Sequence, residues 1–496
     1  MQEITLEKVC GDIETAINTR NWQLVEALLW PAMDQYPDIP ILSFYAGNYF
    51  FQTDRNQMST IMYERGLRLE PNPVVMSNVG AALRRMGRMD EATRWLRKSV
   101  GYEPDNANAW TNLCATYVNE GNPDAGLAYG KRALKCRVWG ADKDYVIRRA
   151  KWNMGLLYLE RGDFKRGFGF YREALGDQRP IRSYGTQGNE EAVTPFPEPQ
   201  LLDAKLHSEN KKKGKTLVVW GEQGIGDELM MASMIPDAMA DYNVIFDCHP
   251  RLEWFFRQKW PDLAIHPTRK NDYIDWPLEE GLHVDFKLPI GDLGHLYRKE
   301  RRDFQTAWRK DGPFYTWPEA EADEYRARLK RLAKGRKIVG LATRGGYPST
   351  ARFQRSIKPD LLGGLLARDD ILYVCLDYED MSLLMAHVEE HHGADRMVWY
   401  PALLHAWDYH HTAALVAACD AVVTVCQSVA HLSASIGQKT FVMAPHRVAW
   451  RYGLKSKDWY WYPSPKTQIY RQAENGDWTG AHKELMEDLD ATLGRS

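Results

Sequence analysis

Two stretches of this 496-residue chain can be laid over each other at a fixed offset. NPVVMSNVGAALRRMGRMDEATRWLRKSVGYEPDN (72–106) matches NANAWTNLCATYVNEGNPDAGLAYGKRALK (106–135). Met76 and Trp110, Val79 and Leu113, Leu83 and Tyr117, Gly87 and Gly121, and Ser99 and Ala133 each stand 34 residues apart. A period of that length means a two-helix unit that cannot bury its apolar face alone and therefore stacks on copies of itself. The first helix of each unit carries large apolar residues and the second carries small ones at the crossing. The same frame catches Gly47, Phe50 and Pro71 upstream, and Gly155, Tyr158, Gly162, Tyr171 and Ala174 downstream. A degenerate copy is expected from Leu6 to Pro37, and residues 136–147 insert about seven extra positions between units.

Over residues 6–175 this pattern resembles the tetratricopeptide-repeat family, with about five repeats. The resemblance implies an α-solenoid whose concave face suits an extended peptide or a partner helix; stabilising or dimerising the rest of the chain is the alternative role. Charge is nearly balanced, 64 Lys+Arg against 66 Asp+Glu, which gives no reason to expect nucleic-acid or membrane-surface binding. No apolar run approaches the length of a membrane span. The opening MQEITLEKVCGDIE lacks the apolar core of a signal peptide, so a cytoplasmic location is expected. Seven scattered cysteines without CxxC spacing speak against a disulfide scaffold or a zinc site. The pair His410-His411 has no spaced third ligand, so no metal and no cofactor are expected. The heavy aromatic load fits sugar stacking, or more simply aromatic cores and repeat interfaces.

Composition changes after the repeats. Residues 179–214 are rich in Pro, Gly and charge and read as a linker that wraps the surface. Its KKK at 211–213 reads as a solvated approach to the next strand, with a phosphate patch as the alternative. From TLVVW (216–220) onward, short apolar runs alternate with helical stretches: YNVIFDC (242–248), RKIVGLAT (336–343), ILYVCLD (371–377), AVVTVC (421–426) and KTFVMAP (439–445). That alternation means parallel sheets. The fold class is therefore α + α/β: a solenoid at 1–178, the linker at 179–214, and two Rossmann-like lobes at 215–335 and 336–496 facing across a cleft. Ligands of such sheets bind at the carboxyl ends of strands.

GEQGIGDELMMASMIPDA (221–238) follows the first strand directly. It is not a GxGxxG fingerprint, since no third glycine follows Gly224 and Gly226. It is not a GxxxxGK[ST] loop either, since no Lys-Ser/Thr follows. The glycines instead hold Asp227 at the opening of a helix. A carboxylate there suits a general base; an N-cap worth about 1 kcal/mol is the equally good structural reading.

The stretch closely resembles the EQGxGD segment of bacterial proteins that join tetratricopeptide repeats to a heptosyltransferase-like, two-lobed glycosyltransferase. VGLATRGGYPSTARFQRSIKPDLLGGL (339–365), WDYHHTAALVAACDAVVTVCQSVAHLSASIGQKTFVMAP (407–445), WRYG (450–453), WYPS (461–464), YRQ (470–472) and DW (477–478) continue the likeness. The resemblance implies a GT-B architecture and metal-independent transfer of a sugar from a nucleotide-sugar donor to a hydroxyl acceptor, with a protein acceptor held by the repeats. It makes Asp227 the base of the first lobe and puts donor binding in the second. Arg344 and Arg355, on the loop after strand 338–343, suit diphosphate oxygens. The helix opening at Ser428 offers free N–H groups and small residues for close approach. His431 on that helix is a ligand-side candidate, with a buried hydrogen-bonding histidine as the alternative. Gly224 and Gly226 complete the donor set, and Glu222, Gln223, Thr412 and Gln427 are further cleft candidates. Two positions depart from the family: Cys426-Gln427 replaces its Asp-Thr, and His411 replaces the second Asp of D-F-x-D-T-A. The first departure keeps open a second reading, an inactive transferase fold used as a tetratricopeptide scaffold.

Overall fold

The computed structural model describes residues 5–120, 122–137, 143–175, 182, 199–268, 276, 282–306, 313–346, 352–404, 408–453, 456–474 and 476–494. The chain divides into two compact units, Met1–Tyr158 and Leu159–Ser496.

The first unit is built of helical hairpins: α1 (Leu6–Asn18) with α2 (Trp22–Gln35), α3 (Pro40–Gln52) with α4 (Asn56–Leu69), α5 (Pro73–Arg85) with α6 (Met89–Tyr102), and α7 (Ala107–Glu120) with α8 (Pro123–Ala133). Helix α9 (Lys143–Glu160) follows. Small residues at the crossings let the hairpins close. A Cβ on Gly47 would meet the Tyr63 ring at 2.3 Å, and one on Gly80 would meet Leu96 Cγ at 2.5 Å. The repeat is also written in the backbone. Arg20, Asp54, Gly87 and Gly162 all take positive φ just past a first helix. That left-handed cap ends the helix and starts the turn. The wider gap between Gly87 and Gly162 is two periods plus the insertion seen at 136–147. The described residues do not include 138–142, where part of that insertion falls.

The second unit opens with α10 (Phe164–Glu173), the fifth repeat's second helix, then β1 (Gln200–Leu201) and α11 (Ala204–Asn210). Most of the expected linker, 183–198 included, lies outside the described residues, but its end is not plain linker: β1 pairs with a later strand. Lys211, Lys212 and Lys213 are exposed at the turn into β2.

The first lobe runs β2 (Thr216–Trp220), α12 (Ile225–Met231), α13 (Ile235–Asp241), β3 (Asn243–Cys248), α14 (Glu253–Lys259), β4 (Ala264–Pro267), β5 (Phe286–Pro289), α15 (Leu293–Tyr297) and α16 (Asp303–Thr306). Sequence periodicity suggests one helix to about 240; instead a 3-10 turn at Ala232–Met234 separates α12 from α13, next to Pro236, which has no N–H to give. The sheet order is β1-β5-β2-β3-β4, parallel throughout.

Helix α17 (Glu319–Ala333) leads into the second lobe: β6 (Lys337–Ala342), α18 (Arg352–Arg355), α19 (Gly363–Leu366), β7 (Ile371–Cys375), α20 (Ser382–His392), β8 (Met397–Trp399), α21 (Pro401–Leu404), α22 (His410–Ala417), β9 (Ala421–Val425), α23 (Ser428–Ser435), β10 (Thr440–Ala444), β11 (Thr467–Arg471) and α24 (Thr479–Leu493). Its sheet is also parallel, ordered β11-β10-β9-β6-β7-β8. Counted within the lobe this is the doubly wound order 3-2-1-4-5-6 read from the far edge, with its switch point between β6 and β9. The strands are apolar on both faces because helices cover both; Val339, Leu341, Tyr373, Val423 and Phe441 form the core. No helix among the described residues is long and apolar enough to cross a membrane.

Candidate functional site

The glycine turn lies at the carboxyl end of β2, beside β5. Gln223 takes φ +64° and is exposed; Gly224, also exposed, is the N-cap of α12. Asp227 therefore stands one turn inside the helix rather than at its cap. Its Oδ2 lies 3.4 Å from the Gly224 N–H, a weak link, while its Oδ1 faces Arg451 Nε at 2.5 Å in an ion pair. Arg451 comes from the second lobe, on the 3-10 turn Trp450–Tyr452.

The neighbouring acids are structural. Glu228 is fully buried, and its Oε1 accepts the His249 N–H at 2.6 Å. It fits because residue 221 is glycine: a Cβ there would fall 2.1 Å from Glu228 Oε2. Buried Glu222 accepts the Gly291 N–H just after β5 at 3.1 Å, tying the ends of β2 and β5 together. Gly226 serves a different purpose. A Cβ on it would reach His431 Cδ2 at 2.9 Å and Ser428 Cα at 3.1 Å. Its hydrogen is what lets α12 of the first lobe lie directly on α23 of the second.

The crevice between β6 and β9 gathers the other candidates. Asp377, buried past the end of β7, accepts from Thr343 N at 2.7 Å, Thr343 Oγ1 at 3.0 Å, Arg344 N at 3.3 Å and Gln427 Nε2 at 3.1 Å. Burial pushes its carboxyl pKa up, against the pull of those donors. Gln427 thus points inward and joins the ends of β7 and β9. Ser428 opens α23. Arg344 reaches Glu379 at 3.1 Å and the Asp380 carbonyl at 3.0 Å, and Arg352 shares Glu379. Arg355 donates to the Cys426 carbonyl at 3.1 Å.

Two further arginines converge here that the sequence alone did not single out. Burial pushes the Cys426 thiol up to about 12, while three guanidiniums, Arg355, Arg471 and Arg451, pull the other way. Arg471 stands at the end of β11 and gives Nη2 to the carbonyls of Tyr452 (2.7 Å) and Ser456 (3.2 Å). Its Nε and Nη1 are buried without an acceptor among the described residues. Burial pushes its guanidinium pKa down, as expected of a cation short of counter-charge. Both arginines sit in the segments WRYG and YRQ; only the addition of β10 beside β9 and of β11 beside β10 brings them near the end of β9.

His431 has both ring nitrogens engaged: Nδ1 with Tyr462 Oη and Nε2 with Tyr452 Oη, each at 3.0 Å. Trp459 packs edge-on at 4.8 Å. Burial, with Arg451 nearby, holds its pKa well below the usual histidine range. In this structure it therefore offers no nitrogen to a ligand; it anchors an aromatic core in which Trp459, Trp461 and Tyr462 are almost fully buried. Thr412 is buried on α22. The structure thus gathers Gly226, Asp227, Ser428 and His431 where the lobes meet, and Arg344, Arg355 and Gln427 at the second sheet's switch point.

No protein-family model matches the chain. Protein FlbA of Caulobacter vibrioides is 23% identical over 436 residues, covering 81% of this chain and 70% of that protein. Among solved structures, YrrB, described as a TPR protein with an unusual peptide-binding site, aligns at TM-score 0.28 and 16% identity over 34% of this chain and 83% of its own. MamA aligns at TM-score 0.29 and 12% identity over 34% and 87%. PilF of Pseudomonas aeruginosa aligns at 0.30 and 14% over 36% and 77%.

Proposed function

We propose that this chain is a metal-independent glycosyltransferase of GT-B type, moving a sugar from a nucleotide-sugar donor to a hydroxyl acceptor. The observation that carries the reading is the guanidinium cluster around the end of β9, in which Arg471 has buried N–H groups with no acceptor among the described residues. A nucleoside diphosphate is the ligand that such a cluster, beside the N-terminus of α23, would neutralise. As the bond from the anomeric carbon to the diphosphate breaks, its electron pair goes to the diphosphate oxygen, and the arginines take up that charge. The acceptor oxygen bonds to the anomeric carbon, and its proton passes to Asp227. Arg451 occupies Oδ1 of that carboxylate, so the proton would go to Oδ2. The acceptor is a protein or peptide carried by the repeats. There Arg84 has its Nε buried without an acceptor among the described residues, with Arg85 and Arg149 close by, which favours an acidic partner.

A second reading, an inactive transferase-fold scaffold, draws on a different observation. Arg344, Gln427 and His431 all spend their polar groups on internal partners. Thermal-shift titration of the full chain with a panel of nucleotide sugars and free nucleoside diphosphates separates the two. The transferase reading expects at least one to raise Tm by several degrees at millimolar concentration. Stabilisation by none of them would leave the scaffold.

A further inference from the structure

Sequence spacing gives the pair His410-His411 no third partner, but the fold supplies one. Helix α17 brings Glu321 against the start of α22, and one ligand atom each from Glu321, His410 and His411 fall within 4.8 Å of one another. His411 Nδ1 and Glu321 Oε2 are 2.7 Å apart. The two imidazoles lie with ring centroids 4.2 Å apart. His410 is held in place by Trp254 of α14, stacked on it at 5.2 Å and 27°. Its Nδ1 is buried and has no hydrogen-bond partner among the described residues. Asp408 adds a second carboxylate nearby.

We propose that Glu321, His410 and His411 form a binding site for a borderline divalent transition cation of the zinc type. Two nitrogens and one carboxylate oxygen are a donor set that zinc takes and that calcium or magnesium, which prefer all-oxygen shells, does not. Neighbouring ligands of tetrahedral zinc stand roughly 3–3.5 Å apart, so the groups need only draw in slightly. All three side chains are half-buried, leaving a fourth position for water. The cation would act as a clip. It would join α17, which leads into the second lobe, to α22, next to the stretch that touches the first lobe through Trp254 and through the Tyr409 N–H to Arg251 carbonyl bond of 3.3 Å. It takes no part in sugar transfer.

The test uses the full chain, stripped with chelator and then titrated with zinc, cobalt, magnesium or calcium chloride. One zinc per chain should be retained after gel filtration, cobalt should give the intense visible bands of a tetrahedral site, and zinc and cobalt, but neither magnesium nor calcium, should raise Tm, zinc by about 3 °C or more at saturation. A second potential chelating pair exists elsewhere in this lobe: His387 and His391, one turn apart on α20, with ring centroids 4.4 Å apart. His391→Ala is therefore the control and should leave the binding intact. His411→Asn and, independently, Glu321→Gln should each weaken zinc binding at least tenfold while keeping the circular-dichroism spectrum of the parent. Loss of binding in His391→Ala, unchanged binding in both site variants, or no retained zinc in the parent would each overturn the proposal.

Discussion

The two parallel sheets of the second unit present the same kind of crevice, yet they fill it with opposite charge. At the carboxyl ends of β2 and β5 stand Glu222, Asp227 and Glu228. Around the end of β9 stand Arg355, Arg451 and Arg471. Topology creates a place for a ligand in each lobe; the side chains decide what each place accepts. Carboxylates suit a hydroxyl about to lose its proton, and guanidiniums suit a phosphate about to gain charge. The Asp227–Arg451 pair is where the two fields meet. On the proposed reading, the phosphate would go to the guanidiniums of the second lobe and the glycine turn would serve the acceptor side.

The largest expected effect separates those roles. Asp227→Asn keeps size and hydrogen-bonding shape but removes the proton acceptor, and should lower single-turnover rate by about 10²–10⁴-fold with little change in donor affinity. Arg471→Met should do the reverse, weakening donor binding by about 10–100-fold, as loss of a charge-assisted phosphate contact does. Rate and dissociation constant measured on both variants check this. If Asp227→Asn turns over like its parent, the contrast between the crevices is electrostatic decoration.

A smaller effect concerns how the crevices touch. Gly226→Ala puts a methyl 3.1 Å from the Ser428 backbone and 2.9 Å from the His431 ring. Backbone cannot give way as a flexible side chain can, so the lobes must part slightly. Chemical denaturation should show a loss of about 1–3 kcal/mol. An unchanged midpoint would mean that the lobes are free to separate there.

The smallest effect is a slope. The folded state holds His431 neutral well below the ordinary histidine pKa of 6.5. Below that value the unfolded chain binds a proton that the folded chain refuses. The stabilisation is thus present above about pH 6.5 and lost as pH falls, at about 1.4 kcal/mol per unit. Denaturation series at pH 7.5, 6.5 and 5.5 on the parent and on His431→Gln measure it; the variant, though weaker overall, should show the shallower acid loss. Equal slopes would assign the acid sensitivity to other groups.

Much of this was legible in the sequence, for reasons that differ by region. The 34-residue period is local and repeated, so helices α1–α10 announce themselves. The longer apolar runs of β2, β3, β6, β7, β9 and β10 do so as well. β1, β4, β8 and β11 are short or mixed in polarity and gave no period to read. The same limit applies to the site. Asp227 and Arg355 lie beside strand ends visible in the chain. Arg451 and Arg471 reach the crevice only because the chain returns to the sheet after β10. Asp377 was quoted as the end of a strand, but its burial under four donors depends on Gln427, fifty positions away. Glu321 and His411 are similarly remote in sequence, which is why spacing alone left the histidine pair without a third ligand.

Helix α10 has the sequence of a repeat and the packing of a lobe. Phe168 fills the space over Gly294, where even a methyl group would stand 2.3 Å from its ring, and Phe164 meets Phe304 at 4.7 Å and Tyr460 at 5.2 Å. The periodic array is consequently not a removable cassette. A graft that exchanges all five repeats for a homogeneous consensus set would erase the residues on which Gly294 and Phe304 depend. The natural splice point for such a chimera falls inside the last repeat, near the end of α9, and any lineage that lengthens or shortens the array must do so upstream of that helix.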